Sequence, residues 1–237
     1  MREWSEADSA YFLDHGGFYV PERERQMALL TALVPRLPDA RAVLDLCCGE
    51  GLLSEAVLAA QAEAVVVGLD GSPAMREAAE RRLAAHGARF TTAECDLHAL
   101  ELPATGPLRA VVSSLALHHV PHERKPALYR RLHDALAPGG ALLIADLVCP
   151  PTAAGREAAA AEWDESVRRA DLAAGAGGAV FARFEADRWN WFRYPDEVDH
   201  PAPLASELAW LREAGFVDLE VPWAGCGHAV YGGFRRR

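Results

Sequence analysis

From residue 40 onward the apolar pattern keeps changing period. Short Val/Leu/Ile runs of strand length lie at residues 42–46, 64–69, 88–93, 108–114, 141–147 and 216–221. Longer stretches of helical spacing, at 52–61, 73–86, 122–136 and 203–214, separate them. An unbroken apolar strand is buried on both faces, and helices packed on both sides of a parallel sheet supply that burial. The alternation therefore predicts an α/β chain. Two helix starts carry a proline near the first turn, and Pro138-Gly139-Gly140 reads as a helix stop. A last run, 228–234, alternates more and closes the sheet.

Two regions fall outside this rhythm. Residues 1–39 read as one or two helices, with Met27, Leu29, Leu30, Leu33, Val34 and Leu37 at near-helical spacing. Residues 150–202 interrupt the alternation after the fifth strand. They open with Pro150-Pro151 and an Ala-rich helix pattern, break at Gly175-Ala176-Gly177-Gly178, and continue with Trp189, Trp191, Phe192 and Tyr194. The expected organisation is one Rossmann-like domain over 1–237. It divides into a helical cap at 1–39, a ligand-binding core at 40–149, a lid-like insert at 150–202 and a closing helix and strand pair at 203–237.

Composition narrows the function classes. Twenty-four Lys and Arg against thirty-four Asp and Glu leave a net charge of −10, which repels phosphate backbones and anionic lipid. No apolar run approaches the roughly 18 residues of a membrane span. The opening Met1-Arg2-Glu3-Trp4-Ser5-Glu6 lacks a leader pattern. Five cysteines without a Cys-x-x-Cys argue against a disulfide framework and a standard zinc site. The expectation is a soluble, cytoplasmic protein with no membrane partner, for which nucleic acid is a poor default partner unless a local basic groove overrules the average.

In a doubly wound sheet, ligands bind beyond the carboxyl ends of the strands. After the first strand comes Asp45-Leu46-Cys47-Cys48-Gly49-Glu50-Gly51, whose glycines permit a tight turn and close approach to the backbone. After the second, Asp70 precedes Gly71-Ser72 and lies nineteen residues past Gly51. That is near the spacing of about 20 for an acid that accepts from a ribose diol. After the third, Cys95-Asp96-Leu97 sets a carboxylate where it can accept from an exocyclic amine. Together the loops describe a nucleoside-shaped slot. Gly49-x-Gly51-x-x-Ser54 partly matches a dinucleotide fingerprint, with serine at the third position. Asp45 opposes that reading, because a carboxylate repels a pyrophosphate and favours an ammonium or sulfonium.

The chain here resembles the class I S-adenosylmethionine-dependent methyltransferases. Its first-strand loop is similar to their Asp-x-Gly-x-Gly-x-Gly motif, Asp70 to their ribose-binding acid, and Asp96-Leu97 to their adenine-binding pair. The resemblance continues through 115–120 (Leu-Ala-Leu-His-His-Val), 136–144 (Leu-Ala-Pro-Gly-Gly-Ala-Leu-Leu-Ile) and 211–216 (Leu-Arg-Glu-Ala-Gly-Phe). It implies a seven-stranded, mostly parallel sheet whose last strand inserts antiparallel. It implies S-adenosylmethionine as cofactor, with S-adenosylhomocysteine as product, and a small-molecule acceptor. The implied cofactor contacts are Asp45, Cys47, Cys48 and Gly49 at the methionyl end, and Asp70 and Gly71 at the ribose. Met75, Cys95, Asp96 and Leu97 surround the adenine, and Ser113 lies near the methyl. Arg23 either pairs the cofactor carboxylate or belongs to a solvated Glu22–Arg25 face. Cys47 departs from the pattern, standing where the family has its first glycine.

His118 and His119 are either the candidate bases or loop histidines that hydrogen-bond the backbone. A metal role is not expected of them, since adjacent residues rarely ligate one ion and no partner lies at metal spacing; Cys226-Gly227-His228 is equally weak. Asp146 either faces substrate or caps a loop. Tyr11, Phe12, Phe18 and Tyr19 either close over the cofactor or fill a core, and the same choice holds for Trp189, Trp191, Phe192 and Tyr194. Three other functions share the slot: a cofactor-binding protein without transfer, a tRNA-modifying relative, and an NAD-dependent oxidoreductase. The chain is read as a monomer or homodimer.

Overall fold

The computed structural model describes residues 5–104 and 106–237. Met1–Trp4, which begin the expected cap and most of the segment read for a leader, lie outside the described residues. Two helices, α1 (Glu6–Tyr19) and α2 (Arg23–Leu33), lead into β1 (Ala42–Leu46), α3 (Leu52–Ala60), β2 (Val65–Asp70), α4 (Pro73–Leu83) and β3 (Phe90–Glu94). Then come β4 (Leu108–Ser114), α5 (Lys125–Ala135), β5 (Leu136–Leu147), α6 (Ala153–Ala173) and α7 (Ala179–Ala186). The chain closes with α8 (Leu204–Glu213), β6 (Val217–Gly225) and β7 (His228–Phe234).

The seven strands form one sheet in the order β3-β2-β1-β4-β5-β7-β6. Only β7 runs against its neighbours, pairing antiparallel with both β5 and β6. The order reverses between β1 and β4, which opens a crevice at their carboxyl ends. Side chains alternate across the sheet. Leu44, Leu46 and Val111 pack with Leu128, Tyr129 and Leu132 of α5. Val43, Ala110 and Val112 pack on the other face with Leu53 and Val57 of α3 and Leu30 of α2.

Three boundaries differ from the sequence reading. α5 ends at Ala135, and β5 begins there rather than at 141, so Pro138 and Gly139 lie inside the strand. The register slips between Leu108 and Ala110, and this irregularity accommodates the proline. β6 runs past 221 through Pro222, which an edge strand tolerates. The helix expected over 73–86 stops at Leu83 and gives way to 3-10 turns containing Gly87 at φ +56°.

The two regions outside the rhythm pack on each other. Trp163 of α6 donates from Nε1 to the Tyr19 carbonyl at 2.7 Å, and Tyr11 stacks on Trp189 with ring centroids 5.5 Å apart. Tyr19, Trp163, Val167 and Phe184 form a small third core, against which Trp189, Trp191 and Phe192 lie. The insert aromatics are thus core filling, and Tyr194 is exposed.

Candidate active site

A cleft of about 1010 Å³ lies over the carboxyl ends of β1, β2, β3 and β4. Its floor is the β1 loop. Cys47 holds a left-handed φ of +57°, followed by Gly49 at +52° and Gly51 at +83°. This explains the family's glycine at the Cys47 position: the backbone there takes a conformation that costs any residue with a Cβ. Gly51 begins α3 and packs on α4, where a Cβ would come within 3.0 Å of Leu83 Cδ1. Cys48 turns behind the loop, its sulfur filling the space that a Cβ on Gly68 would occupy. Burial pushes the Cys47 and Cys48 thiols upward and the Cys95 thiol to about 11, so none is a reactive thiolate.

Asp70 ties two loops together. Its Oδ2 accepts from Gly49 N–H and its Oδ1 from Ser72 N–H, each at 2.9 Å. Each oxygen keeps a lone pair for a further donor. Burial raises its pKa, and those two backbone bonds oppose the rise. Gly71 runs close to the next loop, where a Cβ would lie 3.0 Å from the Cys95 carbonyl. Met75, Asp96 and Leu97 complete this end of the cleft.

Asp45 lies at the deep end and is almost wholly buried. Ser54 Oγ donates to its Oδ2 at 2.6 Å. Burial raises the Asp45 pKa to about 7, partly offset by the Ser54 bond and reinforced by the Asp70 charge. Arg23 reaches the cleft from α2, 3.7 Å from Glu50 and over the Phe12 ring, with its buried Nε lacking a hydrogen-bond partner. Among the described cap aromatics, Phe12 alone joins the lining.

Two expected site residues sit elsewhere. Ser113 shares the Val111 face of β4, fully buried, and donates to the Leu46 carbonyl at 2.8 Å; its neighbour Ser114 lines the cleft. His118 lies behind the cleft wall, and His119 lines the cleft.

The histidines are held by two acids. His118 Nδ1 lies 2.5 Å from Asp146 Oδ1, and Asp146 Oδ2 accepts from His118 N–H at 3.1 Å. Asp199, near the end of the insert, approaches His119 Nδ1 at 2.9 Å and His118 Nε2 at 3.6 Å. Burial works to lower the His118 pKa, but Asp146 and Asp199 outweigh it and the net shift is upward. Burial and the neighbouring His118 lower that of His119. The loop carrying Asp199 is tied down at the next residue: His200 N–H donates to the His118 carbonyl at 2.6 Å, and Lys125 Nζ donates to the His200 carbonyl at 3.3 Å. Lys125 also meets Glu207 at 2.5 Å, and Tyr129 O–H donates to the same carboxylate. Sequence reasoning missed Asp199 and Ser54 as partners, because nothing local ties Asp199 to a histidine eighty positions earlier.

A family model described as a methyltransferase domain matches residues 43–140. Trans-aconitate 2-methyltransferase of Variovorax paradoxus is 36% identical over 217 residues, covering 84% of this chain and 78% of that protein. The enzyme of the same name from Methylobacterium nodulans is 36% identical over 144 residues, 61% of this chain; the match spans about half the length of that relative. Among solved structures, the S-adenosylmethionine-dependent methyltransferase SibL in its apo form superposes with a TM-score of 0.61 at 23% identity, over 90% of this chain and 55% of that one. Among the described residues no helix is long and apolar enough to cross a membrane. The sheet order, the β1 loop with its paired acids, and these likenesses agree: the chain belongs to the class I S-adenosylmethionine-dependent methyltransferases.

Proposed function

We propose that the protein methylates a small molecule whose acceptor atom rests beside His119, with S-adenosylmethionine as donor. The observation that carries this reading is the single cleft that joins an adenosyl-shaped slot, Asp70 to Leu97, to the imidazole of His119. The residues present fit the cofactor. A buried carboxylate such as Asp45, its pKa near 7, is stabilised in its charged form by an ammonium, and among the described residues no cation is placed against it. When bound, the cofactor supplies a methyl already activated on a sulfonium.

The chain's own residues then bind and orient. Asp45 faces the ammonium, Asp70 takes the ribose hydroxyls, and Asp96 takes the adenine amine, with Met75 and Leu97 against the ring. Arg23, with its unpartnered buried Nε, takes the carboxylate. Ser114 and His119 orient the acceptor, and His119 receives its proton where the acceptor carries one. His118 acts from behind the wall, fixed by Asp146. The relatives' printed name favours a carboxylate acceptor. The net charge of −10 disfavours tRNA, and the acid at Asp45 disfavours a nicotinamide dinucleotide. The five cysteines are all free, which suits a cytoplasmic setting, and the proposed unit is a monomer or homodimer.

The test is transfer of isotopically labelled methyl from S-adenosylmethionine to a panel of carboxylates, hydroxy acids, phenols and amines, with trans-aconitate included. The reading expects label in at least one class and a fall in kcat of about 10²–10⁴-fold in His119→Ala where the acceptor loses a proton. Cofactor binding without label in any class would favour the binding protein that has lost transfer, and label in bulk tRNA would favour the tRNA-modifying relative.

A further inference from the structure

We infer that His118, His119 and Asp199 form a three-ligand site for a divalent transition metal, whose open position faces the cleft and takes an oxygen of the acceptor. The inference rests on the methyl-transfer reading for what the ion would hold, and on geometry alone for the ion itself.

The three residues offer ligand atoms that all lie within 4.8 Å of one another. Four ligands at about 2.0–2.1 Å around a tetrahedral ion stand roughly 3.3 Å apart. Asp199 Oδ1 is 2.9 Å from His119 Nδ1 and 3.6 Å from His118 Nε2, values on either side of that spacing. The rings of the adjacent histidines are tilted by 49° rather than stacked, with centroids 4.1 Å apart. Two histidines and one carboxylate is a donor set that suits zinc and its neighbours, and three protein ligands leave one position open.

The surroundings are built as such sites require. A metal-bound imidazole normally hands its other N–H to a carboxylate, which fixes the tautomer and the ring. Asp146 does this for His118: it is almost wholly buried, engages Nδ1, and is itself held by Leu147 N–H at 2.7 Å. Asp199 sits in a turn in which Asp196 Oδ1 accepts from the N–H groups of Val198 and Asp199 at 3.0 and 3.1 Å. Of the three ligands His119 lines the cleft, and through it the ion would reach the acceptor.

That placement answers a problem of charge. Glu123 and Glu197 line the same end of the cleft, against a single exposed Arg124. A carboxylate or hydroxy-acid acceptor meets little positive charge there; a divalent ion would supply it as a Lewis acid and, with His119 taken up as a ligand, would replace it as the group that eases the acceptor's proton loss.

The experiment uses the full chain, stripped with a chelator and titrated with Co²⁺ by visible absorbance and with Zn²⁺ by calorimetry. S-adenosylhomocysteine binding is followed in parallel by thermal shift. One equivalent of cobalt with ligand-field bands and no thiolate charge-transfer band is expected. Asp199→Asn and His119→Ala should each weaken binding at least about tenfold, and Asp146→Asn by about 10–100-fold through His118. Asp199→Asn lies on a surface loop, so it remains informative if a histidine variant fails to fold. No uptake, a thiolate band, or affinity unchanged in Asp199→Asn would overturn the site. Cofactor binding without cobalt uptake sinks the metal and spares the methyl-transfer reading; cobalt uptake without cofactor binding does the reverse.

Discussion

Ser54, in the first turn of α3, donates to Asp45 at the end of β1 across 2.6 Å, and both side chains are buried. The serine that spoils the dinucleotide fingerprint is therefore the residue that holds the acid at the deep end of the cleft. Asp45, raised from 3.8 to about 7, binds its proton more tightly in the folded chain than in the unfolded one. Its contribution to stability is present in full below its unfolded pKa and is lost as pH rises through about 7. Denaturant melts should show Asp45→Asn gaining on the wild type over that window, by on the order of 4 kcal/mol at most. Cofactor affinity should move the opposite way in the wild type, rising with pH as Asp45 ionises, and should lose that dependence in Asp45→Asn.

Removing the serine isolates the other half of the pair. Ser54→Ala leaves a buried carboxylate short of one donor, a loss of about 1–3 kcal/mol. Calorimetric unfolding near pH 8, where Asp45 is charged, should show the larger loss, and near pH 5 the smaller. A loss equal at both would detach Ser54 from the Asp45 charge.

Cys47 carries a left-handed backbone, a conformation that favours glycine. Cys47→Gly should relieve strain of about 1–3 kcal/mol, less the packing lost with the thiol. A rise in Tm of about 2–4 °C is the expected outcome. Cys47→Val, β-branched in the same conformation, should lower Tm. A Tm that falls in both variants would mean that thiol packing outweighs the strain.

The buried Lys125–Glu207 pair secures α5 to α8 beneath the Asp199 loop. Lys125→Met strands a buried carboxylate and should destabilise by about 3–5 kcal/mol. The double variant Lys125→Met/Glu207→Leu should lose much less, because Tyr129 keeps Tyr231 as a hydroxyl partner. Additive losses in the double-mutant cycle would contradict this.

The fold was legible where burial alone decides periodicity. β1, β4 and β7 follow their apolar runs end to end, and the antiparallel last strand follows from the family resemblance. β5 was misread at its start because a proline-glycine run signals a stop in isolation, and only pairing with Leu108 shows a bulged strand. The cleft lining was readable because Asp45 and Asp70 sit at the carboxyl ends of β1 and β2, and Gly49 and Asp96 in the loops that follow β1 and β3. Ser113 and Ser114 illustrate the limit: a period of two decides which of them meets the cleft, and adjacent serines do not declare their phase. Asp199 carried no signal at all, since the fold alone brings it to His119.

The most direct measurement is calorimetric titration of S-adenosylhomocysteine and of NADH into the wild type and into Asp70→Ala. The cleft predicts one site for the adenosyl ligand and none for NADH. Loss of two hydrogen bonds to a charged group, about 1.5–3 kcal/mol each, should weaken Asp70→Ala about a hundredfold or more. Binding of NADH, or S-adenosylhomocysteine affinity unchanged in Asp70→Ala, would contradict the placement of the cofactor in this cleft.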